Sequence, residues 1–436
     1  MWFMDIIKET VSLKISIKKI LLLFLIGCAA GILLLVLPTI VDSQEMHYQV
    51  EISSEKLEEQ GEYPHVAIED NPYFVLDNFS ESIILNCIYN ANAENVWEDT
   101  LAQKRFRISE EELTNLRVLA TGGSAEYGED SFRQMLPYWM GCRSFLRLLL
   151  NVMDYMTIRG LMQVLVGVLL VAAIVLAAGR IDQRFALFLG LSAIMMNLQV
   201  ASSVMAQAAM FVIVFLNVII LTRSKSKKWW SYLFFLIGMV SVYFDWFTFP
   251  VITYCVPMLS VLCMEWKENA GDRKAGYYMH LIFEKGVLWC LGYGLMLLSK
   301  TAVSTVFAGK SALAYFLGRV TTNAGMVAGN EESAISMTAK ALIKCFNGIL
   351  PLTFVGRKML AVIVVLVLIL VIVQVYRRKS WLMDGCIAFV GIGVPILWIV
   401  AFHHFYKVHY WFGYRVLFGT VLAILLLIGR KEEMKE

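Results

Sequence analysis

Charged residues are scarce in this sequence. They make up 17% of the 436 residues, and 58% of the residues are hydrophobic. Soluble globular proteins average about 25% charged residues. A soluble fold with so few charges would expose large apolar patches to water, whereas a lipid bilayer tolerates an apolar outer face. The composition therefore excludes an ordinary soluble protein, and the net charge of +3 gives no reason to expect a nucleic-acid partner.

Several short motifs are also missing. The chain contains no P-loop, no cluster with zinc-ligand spacing, no sequence repeat and no low-complexity tract. Most of the eight cysteines lie in apolar runs, where cysteine packs as a small apolar residue. Cys87 and Cys142 lie in a polar stretch and could form a disulfide bond, although no spacing signature supports one.

The most prominent feature of the sequence is a series of long apolar runs. The first extends from Ile20 to about Val41 and follows lysines at positions 8, 14, 18 and 19. It is longer than the core of a signal peptide, and no clear cleavage site follows it. We predict a retained signal anchor, with residues 1–19 in the cytoplasm and residues 20–41 as the first transmembrane helix.

Further apolar runs begin near positions 156, 185, 204, 231, 251, 280, 359, 383 and 411. Alternate links between them are short and basic, at 180–184, 223–228, 267–274, 377–379 and 430–435. By the positive-inside rule these links belong in the cytoplasm. All of them fall on one side if the chain crosses the cell membrane about ten times with both termini cytoplasmic. The run at 185–200 is short and contains two polar residues, Asn197 and Gln199, which are unfavourable at membrane depth.

The predicted fold class is therefore all-α, a polytopic transmembrane helix bundle of about ten crossings. A large extracytoplasmic helical segment, 42–155, lies between the first and second crossings, and the bundle follows at 156–300. A second extracytoplasmic segment, 301–358, is expected to form amphipathic helices at the membrane surface. Residues 359–436 are the C-terminal transmembrane helices and cytoplasmic tail. In the first segment, Asn78-x-x-Glu81 and Ser109-x-x-Glu112 are capping-box patterns that predict helix starts.

Polar residues at membrane depth are costly, so they usually face a cavity and have a function. Arg143, Arg147, Asn151 and Asp154 form one polar stripe on a predicted helix. Two guanidinium groups one turn apart suit a phosphate. The alternative is that the arginines reach lipid headgroups, with Arg147 paired to Asp154.

Three further places near the predicted outer face carry such residues. Asp245 lies among aromatic residues, either in a site or as the partner of a nearby cation. His404, His409 and Arg415 lie at the start of the last crossing, where histidine can move a proton or bind an anionic group. His409 and Arg415 converge only if the helix begins after His409. Asp77 precedes a predicted helix start and is either a helix-dipole partner or a general base.

These stretches resemble a family of polytopic membrane proteins from Gram-positive bacteria. The motifs that carry the likeness are Asp77-Asn-Phe-Ser-Glu, Tyr138-Trp139-x-Gly141 with Arg147 and Ile158-Arg159, Tyr243-Phe-Asp-x-x-Thr-x-Pro250 and His409-x-x-Phe-x-Tyr-Arg415. The plan of that family resembles the GT-C class of integral membrane glycosyltransferases. Met140 and Leu148 depart from the family pattern, which is expected to have histidine and proline there.

The resemblance implies a transfer reaction on the outer face. A carboxylate of the first outer loop, here Asp77, would act as base on an acceptor hydroxyl of an envelope glycan or lipid, with the sugar carried on polyprenyl phosphate. Cationic residues would neutralise the departing phosphate. No cofactor is predicted, although a divalent metal could share the phosphate charge. The predicted substrate-binding residues are Tyr138, Trp139, Arg143, Arg147, Asp154, Asp245, His404, His409 and Arg415.

Other functions remain open at this stage. An envelope polysaccharide polymerase or ligase would use the outer arginines and histidines without a carboxylate base. A lipid or solute transporter would have two related halves with broken helices at the midplane, and no such repeat is visible. A purely structural scaffold is the fourth alternative.

Overall fold

Helices make up almost all of the protein. The computed structural model describes residues 16–41, 43–269, 275–309, 311–326, 332–377 and 381–429. Within those ranges the regular β-structure is one antiparallel pair of three-residue strands, so the predicted all-α class is confirmed.

The N-terminal part contains one long apolar helix and a folded polar segment. Its main elements are α1 (Ile17–Ile40), α2 (Gln44–Gln60), α3 (Asn78–Asn90), β1 (Lys104–Phe106), α4 (Glu112–Ala120), β2 (Phe132–Gln134) and α5 (Cys142–Leu149). Short helical turns lie at Val96–Glu98, Asp99–Gln103, Gly123–Glu126 and Glu129–Ser131.

The remainder is a bundle of longer helices. In chain order they are α6 (Tyr155–Arg180), α7 (Gln183–Met195), α8 (Met205–Arg223), α9 (Trp230–Phe244), α10 (Ile252–Glu268), α11 (Ala275–Ala308), α12 (Ala312–Asn323), α13 (Ala334–Asn347), α14 (Arg357–Arg377), α15 (Trp381–Ala401), α16 (His403–Val408) and α17 (Tyr410–Gly429). A π-helical turn at Phe389–Gly393 interrupts α15, and short turns lie at Leu198–Ala201, Lys227–Trp229 and Leu352–Phe354.

Six of the described helices are long and apolar enough to cross a membrane, namely α1, α6, α8, α11, α15 and α17. These helices are those of a multi-pass membrane protein. The first one lies close to its predicted bounds of 20–41. The run predicted at 185–200 is divided, because α7 ends at Met195 and Asn197 adopts a left-handed conformation with φ of 51°.

Side chains fix where several helices begin. Ser43, Asp77, Asp154 and Asp182 each accept a hydrogen bond from a backbone N–H of the first turn of α2, α3, α6 and α7, respectively. Such caps satisfy donors that the helix itself leaves unpaired. The predicted capping boxes were displaced: α3 is capped by Asp77, and α4 begins at Glu112, the residue expected at its third position.

Two hydrophobic clusters hold the molecule together. The larger one joins the helices of the bundle. The smaller, which we call the outer cluster, joins α2, α3, α4 and α5 with the start of α6, and it includes Met46, Ile84, Leu116, Leu146 and Tyr155. The sequence did not predict a separate core for this segment. Cys87 and Cys142 are buried in the outer cluster as free thiols.

Helices α9 and α11 approach each other closely at two glycines. A Cβ atom at Gly238 would lie 2.1 Å from the carbonyl oxygen of Trp289, and one at Gly292 would lie 2.0 Å from that of Phe235. Small residues let helix backbones meet in this way in membrane proteins.

The second polar segment, predicted at 301–358, begins later than expected. Helix α11 continues to Ala308, beyond the boundary predicted at 300. Two shorter helices, α12 and α13, follow it, each begun by a serine cap at Ser311 or Ser333.

Candidate functional site

A cavity of about 460 Å³ lies where the outer segment meets the bundle. It is lined from the start of α3, the strand pair, the start of α8, the turn after α9, helix α12 and the segment 405–412. Apart from tyrosines, its ionisable lining residues are Asp77, Arg105, Arg107, Glu112, Arg319 and His409. We call this space the central cavity. It brings together three residues that the sequence predicted, namely Asp77, Tyr138 and His409.

Asp77 lies at the first turn of α3 and is buried. Its carboxylate accepts hydrogen bonds from the backbone N–H of Ser80 at 3.0 Å and from the Ser80 hydroxyl at 2.7 Å. Burial outweighs these bonds and raises the pKa of Asp77 to about 6. A carboxylate with a pKa just below neutrality suits a general base. Capping and base catalysis are compatible here, because the capping residue also lines the cavity.

A second carboxylate, Glu81, stands one turn further along α3. It is fully buried and accepts a hydrogen bond from the backbone N–H of Met205 at 2.8 Å, so it does not cap α3 as its spacing predicted. Burial raises its pKa to about 8, although Arg159 opposes this. Arg159 also donates to the amide oxygen of Asn78 at 2.7 Å. These contacts fix the start of α3 against α6 and α8, and therefore fix Asp77.

The cavity carries more positive than negative charge. Nη1 of Arg105 lies 2.8 Å from Oε1 of Glu112, which is itself buried. Nε of Arg107 lies 3.7 Å from the same oxygen, and its Nη2 contacts Glu110 at 2.5 Å. Arg319 forms no ion pair with a carboxylate among the described residues, and its guanidinium lies over the ring of Tyr315. Guanidinium groups bind phosphate oxygens with two parallel hydrogen bonds, so this charge favours an anionic ligand.

Aromatic side chains line the rest of the cavity. Tyr138 packs against Trp246, with ring centroids 5.8 Å apart, and Tyr63 packs against Trp411 at 5.4 Å. Large aromatic rings combine an apolar face with a polar edge. A lining of this kind suits a ligand that has both apolar C–H faces and hydroxyl groups, such as a sugar.

A helix break separates His409 from Arg415, as their predicted convergence requires, but the two residues do not line the same cavity. Helix α16 ends before His409 and α17 begins after it, so the two are not on one continuous helix. His409 packs on Phe405 at 4.8 Å, and burial lowers its pKa to about 4, so its imidazole is neutral at neutral pH. Arg415 does not line the cavity. It donates to the side-chain oxygen of Gln207 at 2.9 Å, and Gln207 lines the cavity.

Asp245 lies behind the cavity wall. Its carboxylate accepts from the backbone N–H of Thr248 at 2.9 Å and from the hydroxyl of Tyr293 at 3.3 Å. Thr248 itself lines the cavity, and its carbonyl accepts from the hydroxyl of Tyr406 at 2.6 Å. Asp245 therefore shapes the turn that forms the wall, and no cation among the described residues pairs with it as the sequence analysis had allowed.

Arg143 and Arg147 are away from the central cavity, which contradicts their predicted role in binding phosphate. Arg143 donates to the carbonyl of Cys87 at 3.0 Å. Arg147 donates to the carbonyls of Pro38 at 3.0 Å, Ile88 at 2.5 Å and Ala91 at 2.9 Å. Both side chains are buried. They satisfy carbonyls at the C-terminal ends of α1 and α3, which would otherwise lack partners.

The remaining predicted substrate-binding residues also lie outside the cavity lining. Asp154 caps α6 and lies 3.0 Å from Nζ of Lys56, not beside Arg147 as the sequence analysis had allowed. The indole of Trp139 donates to the carbonyl of Met296 at 2.9 Å and is buried. His404 flanks Gly325, whose Cβ would lie 3.4 Å from that of His404. Met140, the departure from the family pattern, is buried in the outer cluster.

Several cavity residues had no predicted role in a site, among them Arg105, Arg107, Gln207 and Arg319, and Glu112 was predicted only as part of a capping box. The alternation Arg105-Phe106-Arg107 was the available signal for two of them, since alternating charged and apolar residues are typical of a short strand. Among the described residues, no group of three or more histidine, cysteine, aspartate or glutamate side chains could hold a metal ion.

An apolar groove of about 680 Å³ lies between α10, α11 and α15. It includes Tyr254, Trp289, Trp398 and Phe402. Val251 lines the groove three residues after Thr248, and Phe402 lines it three residues before Phe405. The turn after α9 and the segment before α17 therefore contribute residues to both linings.

Comparison with protein families, curated proteins and solved structures finds no match for this chain.

Proposed function

We propose that the protein is a membrane glycosyltransferase of GT-C type, which moves a sugar from a polyprenyl-phosphate donor to a cell-envelope acceptor. The observation that carries the proposal is the meeting of Asp77, whose pKa is raised to about 6, with cationic and aromatic residues in one cavity. Base, anion-binding groups and sugar-sized space are the three parts that this reaction needs.

In the proposed reaction, the carboxylate of Asp77 accepts the proton of an acceptor hydroxyl. The acceptor oxygen forms a bond to the anomeric carbon of the sugar, and the bond from that carbon to the phosphate oxygen breaks. The polyprenyl phosphate leaves with the bonding electron pair. Arg107 and Arg319 face the cavity and would stabilise the charge that develops on the phosphate. Each of these steps uses side chains of the chain itself.

The apolar groove supports a lipid-linked donor. Its lining, which includes Tyr254 and Trp398, suits a prenyl chain, and two of its residues lie three positions along the chain from residues that line the central cavity. A donor could therefore place its phosphate beside the arginines and its tail among the helices.

The proposal includes the topology expected from the sequence. The chain crosses the cell membrane about ten times with both termini in the cytoplasm, and the segments 42–155 and 301–358 face outwards. Four shorter helices supply the crossings beyond the six long ones. They are α7, α9, α10 and the apolar part of α14, Val362–Tyr376.

Replacing Asp77 with asparagine tests the reaction. Asparagine caps a helix as well as aspartate does, so the variant should fold. Loss of a general base should lower transfer about 100-fold or more. Transfer is measured in membranes supplied with a polyprenyl-phosphate sugar, and folding by thermal unfolding of the purified protein. Full activity of Asp77→Asn would remove Asp77 as the base.

Asp77→Ala is the matched variant. It removes the base and the cap together, so it should be as inactive as Asp77→Asn and less stable by about 1 kcal/mol. Equal stability of the two variants would contradict the capping role.

A polymerase or ligase is the second candidate, because His409 lines the same cavity and is neutral at neutral pH. It predicts that His409→Ala abolishes transfer while Asp77→Asn does not. Movement of a solute or lipid without a covalent product would instead support the transporter alternative.

A further inference from the structure

A second cavity of about 420 Å³ opens beside the central cavity, on the outer segment. Its floor is the strand pair of β1 and β2, and one side is α12. Arg105, Arg107, Met135 and Arg319 line both spaces, so the two adjoin along a common boundary. We call this second space the basic cleft.

The cleft is lined by more cations than acids. Its cations are Lys104, Arg105, Arg107, Arg133 and Arg319, whereas its acids are Glu98 and Glu129. Lys104 is neutralised by Glu129 at 2.6 Å, and Arg105 by Glu112 at 2.8 Å. Arg133 and Arg319 pair with no carboxylate among the described residues. Positive charge therefore remains on both sides of the cleft.

The strand pair contains an unfavourable arrangement. Its register places Arg105 directly opposite Arg133. Like charges at directly opposed positions of an antiparallel pair destabilise it. Glu112 offsets the charge of Arg105, but Arg133 is exposed and retains its own. An anionic ligand in the cleft would compensate this repulsion, whereas the fold alone gains nothing from it.

We infer that the basic cleft binds the acceptor, and that the acceptor is a glycan chain with anionic groups along its length. This inference rests on the proposed transfer, since the shared boundary leads from the cleft to Asp77 in the central cavity. Guanidinium groups bind phosphodiester and carboxylate groups by the same forked hydrogen bonds. Both sources of negative charge therefore remain to be separated by experiment.

Binding is measured with the full-length protein in nanodiscs of neutral phosphatidylcholine, using fluorescent oligomers of similar length. The probes are a glycerol-phosphate oligomer, an oligogalacturonate and a neutral dextran oligomer. We expect one or both anionic oligomers to bind, with affinity that falls as salt is added, and the dextran oligomer not to bind. Preference for one anionic probe would identify the source of the charge. Equal binding of the dextran would overturn the inference.

Arg133→Gln is the critical variant. It should weaken binding of the anionic oligomer about fivefold. Its thermal stability should be unchanged or higher, because the repulsion with Arg105 is relieved. If Arg133 had only a structural role, its replacement would instead lower the stability of the protein. Unchanged affinity in Arg133→Gln would overturn the inference.

Arg117→Gln is the matched control, since Arg117 lies on the outer segment beside Glu55 and Glu58, outside both cavities. It should bind the oligomers as the unmodified protein does. Binding requires no transfer, so the measurement is repeated in Asp77→Asn. If the oligomer binds both to Asp77→Asn and to the unmodified protein, but the unmodified protein shows no transfer, the proposed function fails and the cleft remains as a binding site. Binding of anionic lipid vesicles, without binding of either anionic oligomer, would overturn the inference, because it would make the cleft a headgroup site.

Discussion

Two sets of arginines in this protein have the same side chain in different surroundings. Arg143 and Arg147 are buried and donate to backbone carbonyls. Arg107 and Arg319 face the central cavity. Arg107 is partly exposed and Arg319 is exposed, so only Arg143 and Arg147 incur the cost of burying a charge. The comparison shows that a buried arginine predicts a partner, but the partner can be the protein backbone as readily as a ligand.

The largest expected effect separates the two sets by stability. Arg147→Met removes the donor from the carbonyls of Pro38, Ile88 and Ala91, and should destabilise the protein by about 3 kcal/mol or more. Arg319→Gln should change stability by about 0.5 kcal/mol at most while lowering transfer. Thermal unfolding in detergent measures both. A fully stable Arg147→Met would break the comparison.

Arg415 is an intermediate case, because it is buried and also holds Gln207 at the cavity. Arg415→Met should lower stability by about 1–3 kcal/mol and also lower transfer per folded molecule, since Gln207 loses its fixed orientation. Activity is normalised to the folded fraction from size-exclusion chromatography. A normal rate of transfer per folded molecule would show that Arg415, like Arg143 and Arg147, has only a structural role.

The pH dependence of transfer tests the cavity side of the comparison. Asp77 must be ionised to accept a proton, so the rate should rise as the pH rises through about 6. The Ser80 hydroxyl bond lowers the pKa of Asp77, and Ser80→Ala should therefore move this rise to higher pH. The profile of kcat/KM against pH gives the midpoint.

Ser82→Ala is the control for that shift. Ser82 lies on the same helix and donates to the carbonyl of Asn78, without a contact to Asp77. Its profile should match that of the unmodified protein. An equal shift in both variants would show that the change reflects general loosening of α3.

The smallest expected effect concerns Asp154, which was predicted to bind substrate and instead pairs with Lys56. The pair is partly exposed, so Lys56→Ala should cost about 1 kcal/mol or less. Transfer should be unchanged. A clear loss of transfer, measured at matched protein levels, would support the predicted role of Asp154 in substrate binding.

The fold was predictable from the sequence in the regions where one physical property, the length of an apolar run, determines the structure. Long apolar runs identified α1 within a few residues, because bilayer thickness sets the length of a spanning helix. The division of α7 at Asn197 was only suggested by its polar residues. The separate outer cluster was missed, because its apolar residues come from four short helices that are not periodic over a long window.

The candidate site was predicted in part for a similar reason. Asp77, Tyr138 and His409 stood in recognisable motifs, and all three line the cavity. Arg105 and Arg319 come from distant parts of the chain, and only their tertiary contacts make them neighbours. The role of Arg143 and Arg147 was misjudged, because helical spacing shows which residues share a face and does not show what that face meets.

The contact between α9 and α11 restricts how a bulky ligand could be admitted. Because their backbones are this close at Gly238 and Gly292, we expect the two helices to move together as one rigid unit. The turn after α9, which carries Thr248 into the cavity wall, lies at the end of that helix pair. Helix α12, which carries Arg319 to the same space, packs on this turn, with the ring centroids of Phe247 and Phe316 5.5 Å apart, so widening of the cavity would require the turn and α12 to move together.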